Sequence, residues 1–294
     1  MKKNIISMHS TIAGSANLAT MAEAARRAGY DAIEPVYPAV YSMLDAGYSV
    51  EEIREVLAGL ELPGIGWIED LERQGEVFSP YLAECTKLFE LCGQIGFKGV
   101  QILTGPIDMA AIRAYRDGSN FQGYMGLQDK DVSEQIRLTA RNAAVLADAA
   151  AQFGVTLYLE PLCWTPMGKL PYALAILEET ARDNFKMVVD FWQLFTAGAT
   201  PDEIAKIPKE YIYGVHICDS AKPEAGVPDQ TEAELRNVPF GKGIIPVKEY
   251  VDAVKATGFT GWWGCESFDV RQKQMALDVS ASKNYRELAA LVNG

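Results

Sequence analysis

Short apolar runs, rich in β-branched and aromatic residues, recur along the chain and are separated by longer stretches of helical periodicity. The runs are 4–9 (NIISMH), 31–36 (DAIEPV), 64–69 (GIGWIE), 99–105 (GVQILTG), 156–162 (TLYLEPL), 186–192 (KMVVDFW), 212–219 (IYGVHICD) and 262–268 (WWGCESF). Runs this short and this apolar suit strands covered on both faces. Helical patterns lie between them, notably 17–30, 79–97 and 133–154. Ser79-Pro80 reads as an N-cap followed by proline at the first helical position. Gly29, Gly96, Gly154 and Gly258 stand where helices stop and the next strand begins. Such alternation implies right-handed βαβ units and a parallel sheet. Eight units in 294 residues predict the α/β class and a single (β/α)8 barrel, one domain over 1–294. A doubly wound open sheet is the alternative, but no GxGxxG follows the first run.

Two connections, 106–130 and 220–245, are far longer than the few residues usual between strand and helix. Both follow the C-terminal end of a strand, the face on which barrel active sites form. Lids or partner contacts are expected there.

Composition narrows the class. Apolar residues make up 49% and charged residues 22%, as in an ordinary soluble enzyme. No run approaches the roughly 18 apolar residues of a membrane helix. The N-terminus has two lysines, but Ser7, His9 and Ser10 interrupt its apolar run, so it reads as a first strand and not as a signal peptide. Five cysteines, an odd number without a CxxC pair, argue against a disulfide framework and fit a reducing cytoplasm. A net charge of −12 without an acidic tail disfavours nucleic acid and anionic membrane. The expected partner is a small molecule.

Four ionisable residues fall near the ends of consecutive predicted strands: Glu160, Asp190, His216 and Glu266. Each has apolar neighbours, where an uncompensated charge would cost several kcal/mol. Taken singly, a strand-end carboxylate is usually a helix cap or half of an ion pair, and a lone histidine is usually a satisfied core residue. Together, on neighbouring strands, they would converge at the barrel mouth. Three carboxylates and an imidazole suit one divalent cation: Mn²⁺, Mg²⁺, Co²⁺ or Zn²⁺.

With LYLEPL, VVDFW, GVHICD, PFGKG and GCESF in place, the chain resembles the xylose isomerase-like TIM barrels, the sugar isomerase/epimerase superfamily. The resemblance implies that Glu160, Asp190, His216 and Glu266 bind one divalent cation, manganese being expected. It also implies that Glu160 and Glu266 carry protons to and from a keto-sugar or polyol through a metal-stabilised enediolate. Elimination from a 3-keto sugar, keto-glycoside or keto-inositol by a lyase or dehydratase is the alternative, and a non-catalytic binding subunit a further one. A homo-oligomer, dimer or tetramer, is expected.

The surroundings depart from the sugar epimerases. Cys163 and Pro166 replace an asparagine and a second glutamate that follow the first ligand there. Gln193 replaces a substrate-contacting histidine, and RNVPFGKG keeps the RxxPGxG segment only in part, with Arg236 displaced by one residue. Gln193 can hydrogen-bond but cannot carry a proton. Gln193, Arg236, His9, Trp67, Glu69 and Trp192 are the candidate substrate contacts. Glu34 reads better as a helix cap, and Cys163, Cys218 and Cys265 as small packing residues.

Overall fold

The computed structural model describes residues 4–225 and 230–294. Eight parallel strands, β1 (Ile5–His9), β2 (Ala32–Glu34), β3 (Ile65–Ile68), β4 (Gly99–Leu103), β5 (Thr156–Glu160), β6 (Phe185–Asp190), β7 (Ile212–Ile217) and β8 (Trp262–Cys265), run in the order β2-β1-β8-β7-β6-β5-β4-β3. Parallel bridges Ala32↔Glu61 and Val36↔Gly66 link the two ends of that order and nearly close the sheet. The predicted (β/α)8 barrel is therefore observed. Its strands stop two or three residues short of several apolar runs, because the chain turns outward into the loops of the mouth.

Helices on the outside bury their apolar stripes against the outer faces of the strands, in one continuous core that includes Leu18, Phe89, Leu146, Ile176, Val251 and Leu288. The barrel interior is filled separately by Tyr158, Val188 and Trp262, with Ile5 and Tyr213 packed against them. Tyr158 stacks on Tyr213 at 5.0 Å between centroids, and Trp262 meets Tyr158 edge-on at 5.9 Å. This aromatic plug closes the lower barrel and forces polar side chains from the strand ends upward. Gly214 makes room for it: a Cβ there would lie 2.0 Å from the Trp262 ring.

Two local expectations change. The helix Phe78–Ile95 begins before Ser79, after a 3₁₀ turn at Gly75–Val77, so Ser79 does not cap it and Pro80 sits inside the first turn. Proline is tolerated there because first-turn N–H groups have no intrahelical acceptor. The 106–130 connection is not all loop: Asp108 caps a helix, Met109–Asp117, that ends at Gly118 with φ 68°.

In the 220–245 connection, residues 226–229 lie outside the described residues, and a capping box at Thr231 starts the short helix Glu232–Leu235. Asp219 anchors this connection by accepting from Gly243 N (2.7 Å) and Ile245 N (3.2 Å). Among the described residues no helix is long and apolar enough to cross a membrane.

Candidate metal centre and active site

The ends of β5, β6 and β7 and the residue after β8 bring Glu160, Asp190, His216 and Glu266 together, with one ligand atom from each within 4.8 Å of all the others. Neighbouring strands in register do this: Asp190 pairs with His216, and His216 with Gly264. Asp190 has two duties. Its Oδ1 accepts from Gln193 N at 2.7 Å and caps the helix Phe191–Thr196, while its Oδ2 faces His216 Nδ1 at 4.0 Å. Glu266 Oε2 lies 3.6 Å from the same nitrogen.

His216 is wholly buried, and its Nδ1 has no hydrogen-bond partner among the described residues. Its Nε2 lies 2.8 Å from Glu34 Oε2, and Tyr158 OH donates to Glu34 Oε1 at 2.6 Å. One ring nitrogen is thus held by a carboxylate, and the other is aimed at three more. That is the arrangement of a metal-ligating histidine oriented from behind. The donor set is hard and fits Mn²⁺, Mg²⁺ or Zn²⁺. An orphaned buried nitrogen would otherwise lose about 1–3 kcal/mol.

The charges support the same fit. Burial pushes Glu160 well above the usual carboxylate range, and Asp190 and Glu266 add to the rise. Burial raises Asp190 too, against the pull of Arg236. Burial also opposes ionisation of Glu266, but Arg236, His9 and His216 outweigh it and hold the group down to about 2. Burial disfavours charge on His216, yet the Glu34 carboxylate prevails and lifts it to about 10. A cation held at Nδ1 would take the place of that proton.

Two glutamates and a glutamine tune the site. Glu34, read from the sequence as a helix cap, instead pairs with His216 from below. Gln101, on β4, donates to Glu160 Oε2. Glu232 lines the mouth, 2.5 Å from Arg236 Nη1 and 3.3 Å from Gln193 Nε2. Burial pushes Glu232 up to about 7 against the pull of Arg236. No periodicity marked Glu34, since it is one acid on a three-residue strand. Gln101 and Glu232 carry no motif at all.

The mouth is a cavity of about 970 Å³ lined by His9, Trp67, Gln101, Glu160, Gln193, Glu232 and Glu266, among others. Of the expected substrate contacts, His9, Trp67 and Gln193 reach it. Gln193 bridges the surroundings: its Oε1 accepts from Cys163 N at 2.8 Å. Arg236, Trp192 and Glu69, the other expected substrate contacts, are not among the residues lining the cavity.

Arg236 is buried because carboxylates surround it: Glu266 Oε2 at 2.9 Å, Asp190 Oδ2 at 3.5 Å and Glu232. It also packs over Trp192 at 5.6 Å and Phe268 at 4.6 Å. Trp192 is buried beneath it, and exposed Glu69 lines a separate surface depression, where it accepts from Trp67 Nε1 at 3.0 Å. Cys218 does more than pack: its thiol donates to Asp190 at 3.4 Å, and burial keeps it protonated.

The family model described as the xylose isomerase-like TIM barrel matches residues 22–292. The chain belongs to that family. This xylose isomerase-like barrel is also 27% identical over 145 residues to a Streptomyces coelicolor protein assigned as a hydroxypyruvate isomerase. That match covers 46% of this chain and 47% of the relative, so it spans about half the relative's length. A crystal structure of an IolI protein with a bound zinc atom superposes with a TM-score of 0.82 at 18% identity, over 100% of this chain and 98% of that one. An L-ribulose 3-epimerase superposes with a TM-score of 0.71 at 18% identity, over 99% and 95%. Likeness at that identity establishes the shared barrel.

Proposed function

We propose that this barrel is a divalent metal-dependent isomerase or epimerase of a keto-sugar or polyol, with Glu160, Asp190, His216 and Glu266 as ligands. The observation that carries this is His216: Nε2 fixed by Glu34, and Nδ1 without a hydrogen-bond partner among the described residues, facing Asp190 and Glu266. A bound divalent cation supplies Lewis-acid polarisation of a substrate carbonyl, which acidifies the neighbouring C–H.

The chain supplies the proton carriers. Glu160 and Glu266 flank Asp190 and His216, since β5 and β8 stand on either side of β6 and β7. They therefore approach a ligand in the mouth from two sides. Their surroundings separate them: Glu160 favours its proton, and Glu266 favours its charge. A pair split in this way divides general acid from general base. Gln101 holds the Glu160 carboxyl in place, and Arg236 does the same for Glu266.

Elimination is the second reading, favoured by Glu232. This third carboxyl on the mouth, pushed up to about 7, can hold a proton for a departing oxygen. Incubating the chain with a keto-sugar panel in D₂O separates the two. Proton transfer predicts deuterium beside the carbonyl with the carbon skeleton intact, abolished by EDTA and restored by Mn²⁺. Loss of water or aglycone would select elimination, and full exchange by metal-free protein would refute the metal-dependent reading.

A further inference from the structure

His9 ends β1 and caps the single helical turn Ser10–Ala13, where Thr11 N donates to its Nδ1 at 3.3 Å. Thr11 Oγ1 lies 3.0 Å from the same nitrogen and itself accepts from Ser267 N at 3.0 Å. With its oxygen engaged by Ser267, the hydroxyl is free to turn its hydrogen towards Nδ1. A backbone N–H aimed at Nδ1 leaves no room for a proton on that nitrogen, because two N–H groups would meet head-on. In an imidazole, the nitrogen that accepts leaves the proton to the other one. His9 is therefore the Nε2–H tautomer, fixed by backbone groups of the segments that follow β1 and β8.

That Nε2 has no hydrogen-bond partner among the described residues, yet it keeps accessible surface. His9 is 7% exposed and lines the mouth together with Glu160 and Glu266. Its ring stands edge-on to His216, 4.9 Å between centroids. A donor without a protein acceptor thus opens on the cavity beside a candidate ligand. The tautomer also removes a second candidate cation site. His9, Glu34 and His216 each bring one ligand atom within 4.8 Å of the others, but a nitrogen that carries its proton offers no lone pair.

We propose that His9 contacts the substrate, donating Nε2–H to the oxygen of a bound keto-sugar that gains negative charge as the neighbouring C–H loses its proton. This rests on the proton-transfer reading above. A donor already aimed where charge develops strengthens as the reaction proceeds and needs no reorganisation.

Two substitutions separate this role from the cap. Asparagine in H9N reaches only as far as Nδ1, so it keeps the cap and removes the donor. Glutamine in H9Q reaches as far as Nε2 and returns one. The chain has two histidines, so ¹⁵N-histidine NMR of the Mg²⁺-loaded protein shows two rings, and H9N identifies the one that disappears. The expected His9 spectrum has a bare Nδ1 and a protonated Nε2. Calorimetry in Mn²⁺ buffer then uses glycolohydroxamate, a planar anionic chelator shaped like an enediolate. H9N should bind it about 10-fold or more weakly than wild type, H9Q should recover most of that loss, and Mn²⁺ affinity should be equal in all three. A proton on Nδ1, a doubly protonated ring, wild-type hydroxamate affinity in H9N, no recovery in H9Q, no hydroxamate binding by Mn²⁺-loaded wild type, or loss of Mn²⁺ affinity in H9N overturns the proposal. Wild type that binds no Mn²⁺ refutes the metal-dependent reading instead, and the NMR spectrum alone then decides the state of His9.

Discussion

Replacing Glu34 with glutamine isolates the support behind the candidate metal ligand. Glu34 is 1% exposed, and its two oxygens are both used, one by His216 Nε2 at 2.8 Å and one by Tyr158 OH at 2.6 Å. In E34Q the amide oxygen can still accept from Nε2, and the amide nitrogen can donate to the tyrosine oxygen. Shape and hydrogen bonds survive, and the negative charge goes. A neutral acceptor leaves the imidazole a weaker base and a weaker ligand. Loss of such a carboxylate typically costs about 10- to 100-fold in metal affinity, or about 1.4–2.7 kcal/mol. E34A should cost more, because it also leaves His216 Nε2 and Tyr158 OH unpaired in a dry interior, at about 1–3 kcal/mol for each lost partner. Titration of Mn²⁺ into the apo variants gives affinity, and urea unfolding of the apo proteins gives stability. The expected order of affinity is wild type, then E34Q, then E34A, with Y158F near wild type. Wild-type affinity in E34Q would refute the claim that the Glu34 charge sets His216 up as a ligand.

Two further outcomes follow from the packing. Glu72 is 3% exposed, with one oxygen accepting from Gly105 N at 2.9 Å, and burial followed by Asp70 pushes it up to about 7. Its folded pKa exceeds its unfolded one, so the folded state binds the proton more tightly. Its stabilising contribution is present below about pH 4.5 and is lost as pH rises through about 7, to the extent of about 3 kcal/mol. E72Q should therefore gain on wild type in urea unfolding between pH 5 and pH 8, and an equal gap at both would refute this. G214A places a methyl against the Trp262 ring and should lose about 1–3 kcal/mol; an unchanged melting temperature would contradict the packing of the plug.

The order of elements was legible in the sequence because each strand buries itself by its own composition, and several helices stop at a left-handed glycine such as Gly29 or Gly96. Glu160, Asp190, His216 and Glu266 were legible for a related reason. A strand end in a barrel faces the mouth whatever the loops do, so an acid or histidine there announces itself locally. The helix within 106–130 was missed because tertiary burial of Ala111 and Ala114 supports it, while Gly and polar residues downstream read as loop.

Partnership was decided only in three dimensions. Glu34 and His216 lie 182 positions apart, and closure of the barrel alone puts a carboxylate behind the imidazole. Likewise Arg236 is buried because three acids, Asp190, Glu232 and Glu266, surround it. Local sequence sets which backbone each residue joins and which way it points. The charges it meets, and therefore its protonation and its role, depend on what the fold sets opposite.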